Sequence, residues 1–240
     1  MSAGRRQGEA RDDGPRGSDA SAFGRANLSE LGRGMESPGV SKGFCAASLL
    51  SVDGSINCSA GYDRASGLWC LGTDAPPISS KPTTEDARNL LRLVRGTFAS
   101  FPFADPARLE ANGGGSMLDV SKDPGADESA FLMALMTAVC RPSLPLAPAL
   151  LIRAPQLSGS GTGKGLLVRA IGETAFGRRP KAFARRGDRQ ELSKRLDSAL
   201  MQSDPMLFLD NCNDETLASD VLAQVITETE VKGRVLGRVN

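Results

Sequence analysis

Ser158-Gly159-Ser160-Gly161-Thr162-Gly163-Lys164-Gly165 is the stretch whose reading decides the fold. Before it, Pro148-Ala149-Leu150-Leu151-Ile152 reads as a buried strand. After it, Leu166-Leu167-Val168-Arg169-Ala170-Ile171 reads as the first turns of a helix. Strand, glycine loop, lysine and helix is the layout of a phosphate cradle. Glycines let backbone N–H groups turn onto an anion, the helix N-terminus adds partial positive charge, and the lysine reaches the outer phosphates. The spacing predicts a nucleotide-binding core in the second half of the chain.

The loop departs from the GxxxxGK[ST] pattern at both ends. Ser158 stands where the first glycine belongs, and Gly165 where a hydroxyl would hold Mg²⁺. Gly159, Gly161 and Gly163 still permit the tight backbone path. The expected ATP-binding residues are Ser160, Gly161, Thr162, Gly163, Lys164, Gly165 and Leu166. The plainer alternative is a glycine turn between strand and helix with no ligand.

A second element completes the constellation. Met206-Leu207-Phe208-Leu209-Asp210 reads as a buried strand that delivers a carboxylate to the C-terminal edge of a sheet. There Asp210 is expected to hold Mg²⁺ opposite the loop. A separation of roughly 45 residues leaves room for a helix, a strand and another helix. Many phosphate-loop ATPases have Glu after this Asp to activate water, whereas this chain has Asn211. Hydrolysis then needs another base, for which Asp214 or Glu215 is the candidate, so Asp210, Asn211 and Asp214 form the expected catalytic set. The alternative for Asp210 is a helix-capping acid after a core strand.

Composition narrows the chemistry. The 240 residues include no histidine, which excludes Ser-His-Asp and Cys-His catalysis and His-ligated zinc. Five cysteines without CxxC spacing suit reduced thiols rather than a disulfide framework or a zinc ribbon. The N-terminus has no apolar signal region and no run approaches a membrane span, so a cytoplasmic protein is expected.

Along the chain, residues 1–41 are rich in Gly, Arg, Asp, Ser and Ala with sparse apolar positions. Such a segment buries too little surface to offset its ordering entropy, and disorder is expected. A wrongly assigned start or an out-of-frame remnant is the alternative. Residues 42–82 are expected to form a small β-rich module: Asp53-Gly54 is a hairpin-turn dipeptide between 47–52 and 55–58, and Tyr62 and Trp69 pack it.

Residues 83–145 read as a helical connector. Thr83 or Thr84 caps a first helix with Leu90, Leu91, Val94 and Phe98 on its apolar face. Residues 111–125, with Gly113-Gly114-Gly115, read as a flexible loop. A second helix runs from about 127 to 140 and stops at Arg141-Pro142. Residues 146–240 alternate: helix 164–174, strand 181–184, helix 189–201 with Leu192, Leu196 and Leu200 inward, strand 205–210, helix 218–227, strand 234–236. Alternation of this kind predicts an α/β fold with a parallel sheet.

A basic run holds Arg178, Arg179, Lys181, Arg185, Arg186, Arg189, Lys194 and Arg195. Clustered cations suit a nucleic-acid backbone, here single-stranded DNA along residues 178–195. A solvated loop and helix face is the alternative.

Residues 149–240 resemble the ATPase region of primase/helicase-like proteins of phages, plasmids and integrated elements, near the superfamily 3 and AAA+ helicases. Arg153-Ala154-Pro155, residues 158–167, Glu191-Leu192-Ser193-Lys194-Arg195-Leu196, Leu207-Phe208-Leu209-Asp210-Asn211 and Arg234-Val235-Leu236-Gly237 carry the resemblance. A GKG ending is typical of that group. Upstream, Asp53-Gly54-Ser55, Gly61-Tyr62-Asp63, Phe101-Pro102-Phe103 and Ala138-Val139-Cys140-Arg141-Pro142 extend it.

The resemblance implies a P-loop NTPase core that binds ATP and Mg²⁺, hydrolyses ATP as a DNA helicase does, and forms a homo-oligomeric ring on DNA. It also implies a sensor strand and an arginine finger after the Asp strand. Neither is found before Asn240, so a truncated member with an incomplete sheet is expected. The alternative is a nucleotide- or nucleic-acid-binding module without turnover, a degenerate remnant.

Overall fold

The computed structural model describes residues 42–74, 79, 81–111, 113–155, 161–184, 189–212, 219–229 and 231. The expectations for 1–41 and for the strand at 234–236 lie outside the described residues. What is described is a mixed α/β structure of five helices and several small sheets.

The β-rich module has two sheets. Strand β1 (Gly43–Cys45) runs parallel to β5 (Leu68–Cys70), and β4 (Gly61–Asp63) pairs antiparallel with β5, giving the order β1-β5-β4. Strands β2 (Leu49–Leu50) and β3 (Ile56–Asn57) form the hairpin expected around Asp53-Gly54. Asp53 Oδ1 fixes that turn by accepting from the Ser55 amide at 2.9 Å and the Ser55 hydroxyl at 2.7 Å. Tyr62 and Trp69 are cross-strand partners with ring centroids 6.5 Å apart, the geometry in which aromatic pairs stabilise a sheet. Cys45, Leu49 and Cys70 form the buried centre of this module.

Helix α1 (Thr84–Thr97) begins at Thr83 with a complete capping box. Thr83 Oγ1 accepts from the Asp86 amide at 3.1 Å, and the Thr83 amide donates to Asp86 Oδ2 at 2.8 Å. Its expected apolar face is only partly buried. Leu90 and Leu91 are exposed, and only Val94 and Phe98 meet the core. In place of more leucines the helix buries Arg95, whose guanidinium is gripped by Glu128.

The expected loop at 111–125 is largely a hairpin. Strands β6 (Arg108–Ala111) and β7 (Gly115–Leu118) pair antiparallel from Arg108↔Leu118 to Ala111↔Gly115. Gly113 and Gly114 have φ of 115° and 89°, values that β-turns reach most easily with glycine. The glycines that read as flexibility therefore make a turn.

Helix α2 (Ala126–Val139) follows, one residue from its expected limits. Asp105, more than twenty residues upstream, caps it: Oδ2 accepts from the Ala126 amide at 2.7 Å and Oδ1 from the Asp127 amide at 3.2 Å. The chain then passes through a short 3₁₀ turn, Arg141–Ser143.

Residues 148–152 are not a strand. Leu150 and Leu151 are exposed, while Ile152 packs against the main core. Pro148 denies the segment an amide donor, and Pro145 and Pro155 flank it, which disfavours its entry into a hydrogen-bonded sheet.

Helix α3 (Lys164–Phe176) packs on α2. Its Leu167 and Ile171 join Ala99, Phe103, Leu118, Phe131 and Leu135 in the main core. Strand β8 (Ala182–Ala184), helix α4 (Arg189–Met201) and strand β9 (Phe208–Asp210) form one crossover unit, and β8 pairs parallel with β9. Leu192, Leu196 and Ala199 are the buried face of α4, whereas Leu200, expected inward, is exposed. Helix α5 (Asp220–Thr227) is capped by Ser219, whose hydroxyl accepts from the Leu222 amide at 3.3 Å. Among the described residues the parallel sheet has these two strands.

Candidate functional site: a glycine loop beside an acidic strand end

Gly163 is the N-cap of α3, with φ of 84°, and no side chain caps the helix there. Gly161 has φ of 94°. Two left-handed glycines two residues apart turn the chain onto the helix axis, a route closed to most side chains. An uncapped N-terminus leaves first-turn amides to meet an anion. The Leu166 amide is already used, donating to the Gly163 carbonyl at 2.9 Å. The Leu166 side chain is exposed, and among the described residues the candidate cradle is Gly161, Thr162, Gly163, Lys164 and Gly165. Lys164 Nζ donates to Thr162 Oγ1 at 3.2 Å, which folds the amine back over the loop. Ser160 lies outside the described residues.

The loop is set against two aromatic rings. A Cβ added to Gly163 would stand 3.2 Å from Phe101 Cε2. One added to Gly165 would stand 3.7 Å from Phe208 Cζ. Phe208 opens β9, and Asp210 closes it. Successive side chains on a strand alternate in face, so Phe208 and Asp210 share the face that meets the start of α3. Asp210 is then roughly 7 Å further along the strand.

Asp210 Oδ1 accepts from the Asn211 amide at 2.9 Å, and Asn211 has φ of 57°. The chain thus turns sharply after the acid, which leaves it at the strand end. Asp214 lies outside the described residues. A divalent metal here would meet Asp210 but no hydroxyl at Gly165, and no cluster of three or more Cys, Asp or Glu is present among the described residues. That set suits an ion held largely by phosphate and water, as Mg²⁺ commonly is.

The basic run is partly paired. Arg178 bonds Asp204 at 3.0 Å, Arg179 bonds Glu173 at 2.6 Å, and Arg195 bonds Glu191 at 3.2 Å. Carboxylate partners offset the charge that a nucleic-acid backbone would meet. Arg185 and Arg186 lie outside the described residues.

A hollow of about 390 Å³ lies elsewhere, between the β-rich module and the 3₁₀ turn, lined by Leu50, Val52, Asp53, Asp63, Ser66 and Ser143 among others. Its acids are satisfied within the module. Hydrogen bonds from the Ser66 hydroxyl and amide hold Asp63 below its ordinary carboxylate value, and Ser55 does the same for Asp53.

Sequence reading missed Arg169. Its guanidinium carbon lies 5.7 Å from the centre of the Phe208 ring. The signal was present, since residue 169 is one helical turn beyond Gly165 and long side chains lean toward the helix N-terminus.

No protein-family model, curated protein or solved structure matches the chain. No helix among the described residues is long and apolar enough to cross a membrane.

Proposed function

We propose that this chain binds ATP with Mg²⁺ in the loop from Gly161 to Gly165, as the P-loop ATPase part of a helicase-like DNA replication protein of a mobile element. One observation carries the reading: the uncapped, lysine-led start of α3 abuts the strand whose last residue is Asp210. Lys164 and the first-turn amides hold the phosphate tail, and Asp210 takes the metal side. The mobile-element and helicase assignments rest on the sequence resemblance. Residues 178–195 are the proposed contact with single-stranded DNA, and a homo-oligomeric ring is the proposed assembly.

A second reading is favoured by Asn211, whose side chain supplies no general base beside Asp210. In it the chain holds nucleotide without turnover. The test is equilibrium binding of a fluorescent ATP analogue with Mg²⁺, wild type against Lys164→Ala, followed by hydrolysis with and without single-stranded DNA. Binding that the substitution abolishes supports the cradle. DNA-stimulated hydrolysis supports the ATPase, and binding without turnover the second reading. Absent binding by folded protein overturns both.

A further inference from the structure

We propose that Arg169 is a phosphate-contacting residue of the cradle, standing in for the metal-holding hydroxyl that Gly165 lacks. The polyphosphate charge would then be offset in part by the chain itself, and its binding would depend less on divalent metal than with Lys164 alone. This inference rests on the loop from Gly161 to Gly165 being a phosphate cradle.

The first support is steric. A Cβ at Gly165 would lie 3.0 Å from Arg169 Nη1. A serine or threonine there would press on the end of the guanidinium, which would have to give by a small shift, so the arginine reaches the position where the pattern places a hydroxyl residue.

The second support is orientation. Phe208 underlies the guanidinium at 5.7 Å, a cation–π geometry. The ring holds the group beside the first turn of α3 and leaves its N–H donors to meet an incoming oxyanion. A planar guanidinium suits phosphate because it donates two parallel bonds at once.

The third support is charge. Among the described residues the Arg169 side chain has no hydrogen bond and no ion pair, and the Lys164 side chain bonds only the neutral Thr162 hydroxyl. Both cations gather at the positive end of a helix dipole, where cations are disfavoured. An anion with several negative charges would be attracted by both cations and by the helix N-terminus, which offsets that cost. The arrangement therefore suits a di- or triphosphate tail better than a single carboxylate.

The test measures affinity for a fluorescent ATP analogue on the full chain, once with Mg²⁺ and once with excess EDTA. Arg169→Gln keeps the stem and removes the charge. Its affinity is expected to fall about tenfold or more in EDTA, the size of a lost charge-assisted hydrogen bond, and less with Mg²⁺. Arg169→Lys is expected to recover part of the loss. Gly165→Ser, which adds a hydroxyl and displaces the guanidinium, is expected to make binding depend more strongly on Mg²⁺.

Wild-type affinity for Arg169→Gln under both conditions overturns the proposal, as does an equal loss under both, which a packing role would give. If Arg169→Gln fails to fold by circular dichroism, Arg169→Lys and Gly165→Ser decide, and unchanged metal dependence in both overturns the proposal. Should Lys164→Ala abolish binding while these variants leave it unchanged, the cradle stands and only Arg169's role falls. Wild-type binding by Lys164→Ala overturns the cradle and this proposal with it.

Discussion

Arg95 and Glu128 meet in a two-point ion pair, Nε to Oε1 at 2.6 Å and Nη2 to Oε2 at 3.0 Å, with side chains only 4% and 1% exposed. The remaining guanidinium nitrogen, Nη1, donates to the carbonyls of Lys122 at 2.6 Å and Val120 at 3.2 Å. One arginine thereby ties α1, the segment after β7 and the start of α2. Glu128→Ala strands a buried cation and is expected to destabilise the chain by about 3–5 kcal/mol. Arg95→Met with Glu128→Leu removes both charges and is expected to cost much less. Urea unfolding of the single and double variants checks this, and equal losses would contradict it.

Asp105 caps α2 from a distance, because Gly125 has no side chain to do so. Asp105→Ala is expected to cost about 1 kcal/mol, the usual value of a lost N-cap. Asp105→Asn retains an acceptor and is expected to lose less. The urea midpoints of the two variants provide the comparison.

The acid side of the stability profile has a named contributor. Hydrogen bonds from the Ser66 hydroxyl and amide, then from Asn57, outweigh desolvation and lower the pKa of Asp63 below its ordinary value of 3.8. The folded state therefore prefers the carboxylate. Its contribution is present above 3.8 and is lost as pH falls through the lowered folded value. Asp63→Asn is expected to be less stable near neutral pH and to lose less stability on acidification. Melting temperatures of both proteins at neutral pH and across the acid limb give the measurement, and parallel curves would contradict it.

The loop glycines differ in surroundings. Gly161 has open space around an added Cβ, whereas Gly163 has Phe101 at 3.2 Å. Gly161→Ala is expected to cost about 1–2 kcal/mol from the left-handed backbone alone. Gly163→Ala adds a steric clash and is expected to cost more. Denaturant unfolding of the two proteins tests the order, and Phe101→Leu should relieve part of the Gly163→Ala loss.

Local signals were read well from sequence. The Thr83 cap, the Asp53-Gly54 turn and the limits of α4 depend on neighbours within a few residues, whereas the start of α2 is capped from Asp105. Non-local features were harder. The Arg95–Glu128 pair spans 33 positions, and neither residue looks buried by its type. The β6–β7 hairpin was hidden because its strands are short and weakly apolar, so three glycines read as slack. At 148–152 an apolar run lacks a partner strand among the described residues: Ile152 packs on the core while Leu150 and Leu151 are exposed, so apolarity alone does not specify pairing. At the candidate site the loop, the lysine and the acid were legible as motifs, whereas Arg169 and its Phe208 ring required three-dimensional proximity.

The parallel pairing of β8 with β9 has a kinetic consequence. Ala182 meets Phe208 only after the chain has travelled out through α4 and returned. The glycine loop and α3 are continuous in sequence and need no such closure. The two sides of the candidate site therefore run on different clocks: the lysine side is set by local chain geometry, and the acid side waits for a long loop to close.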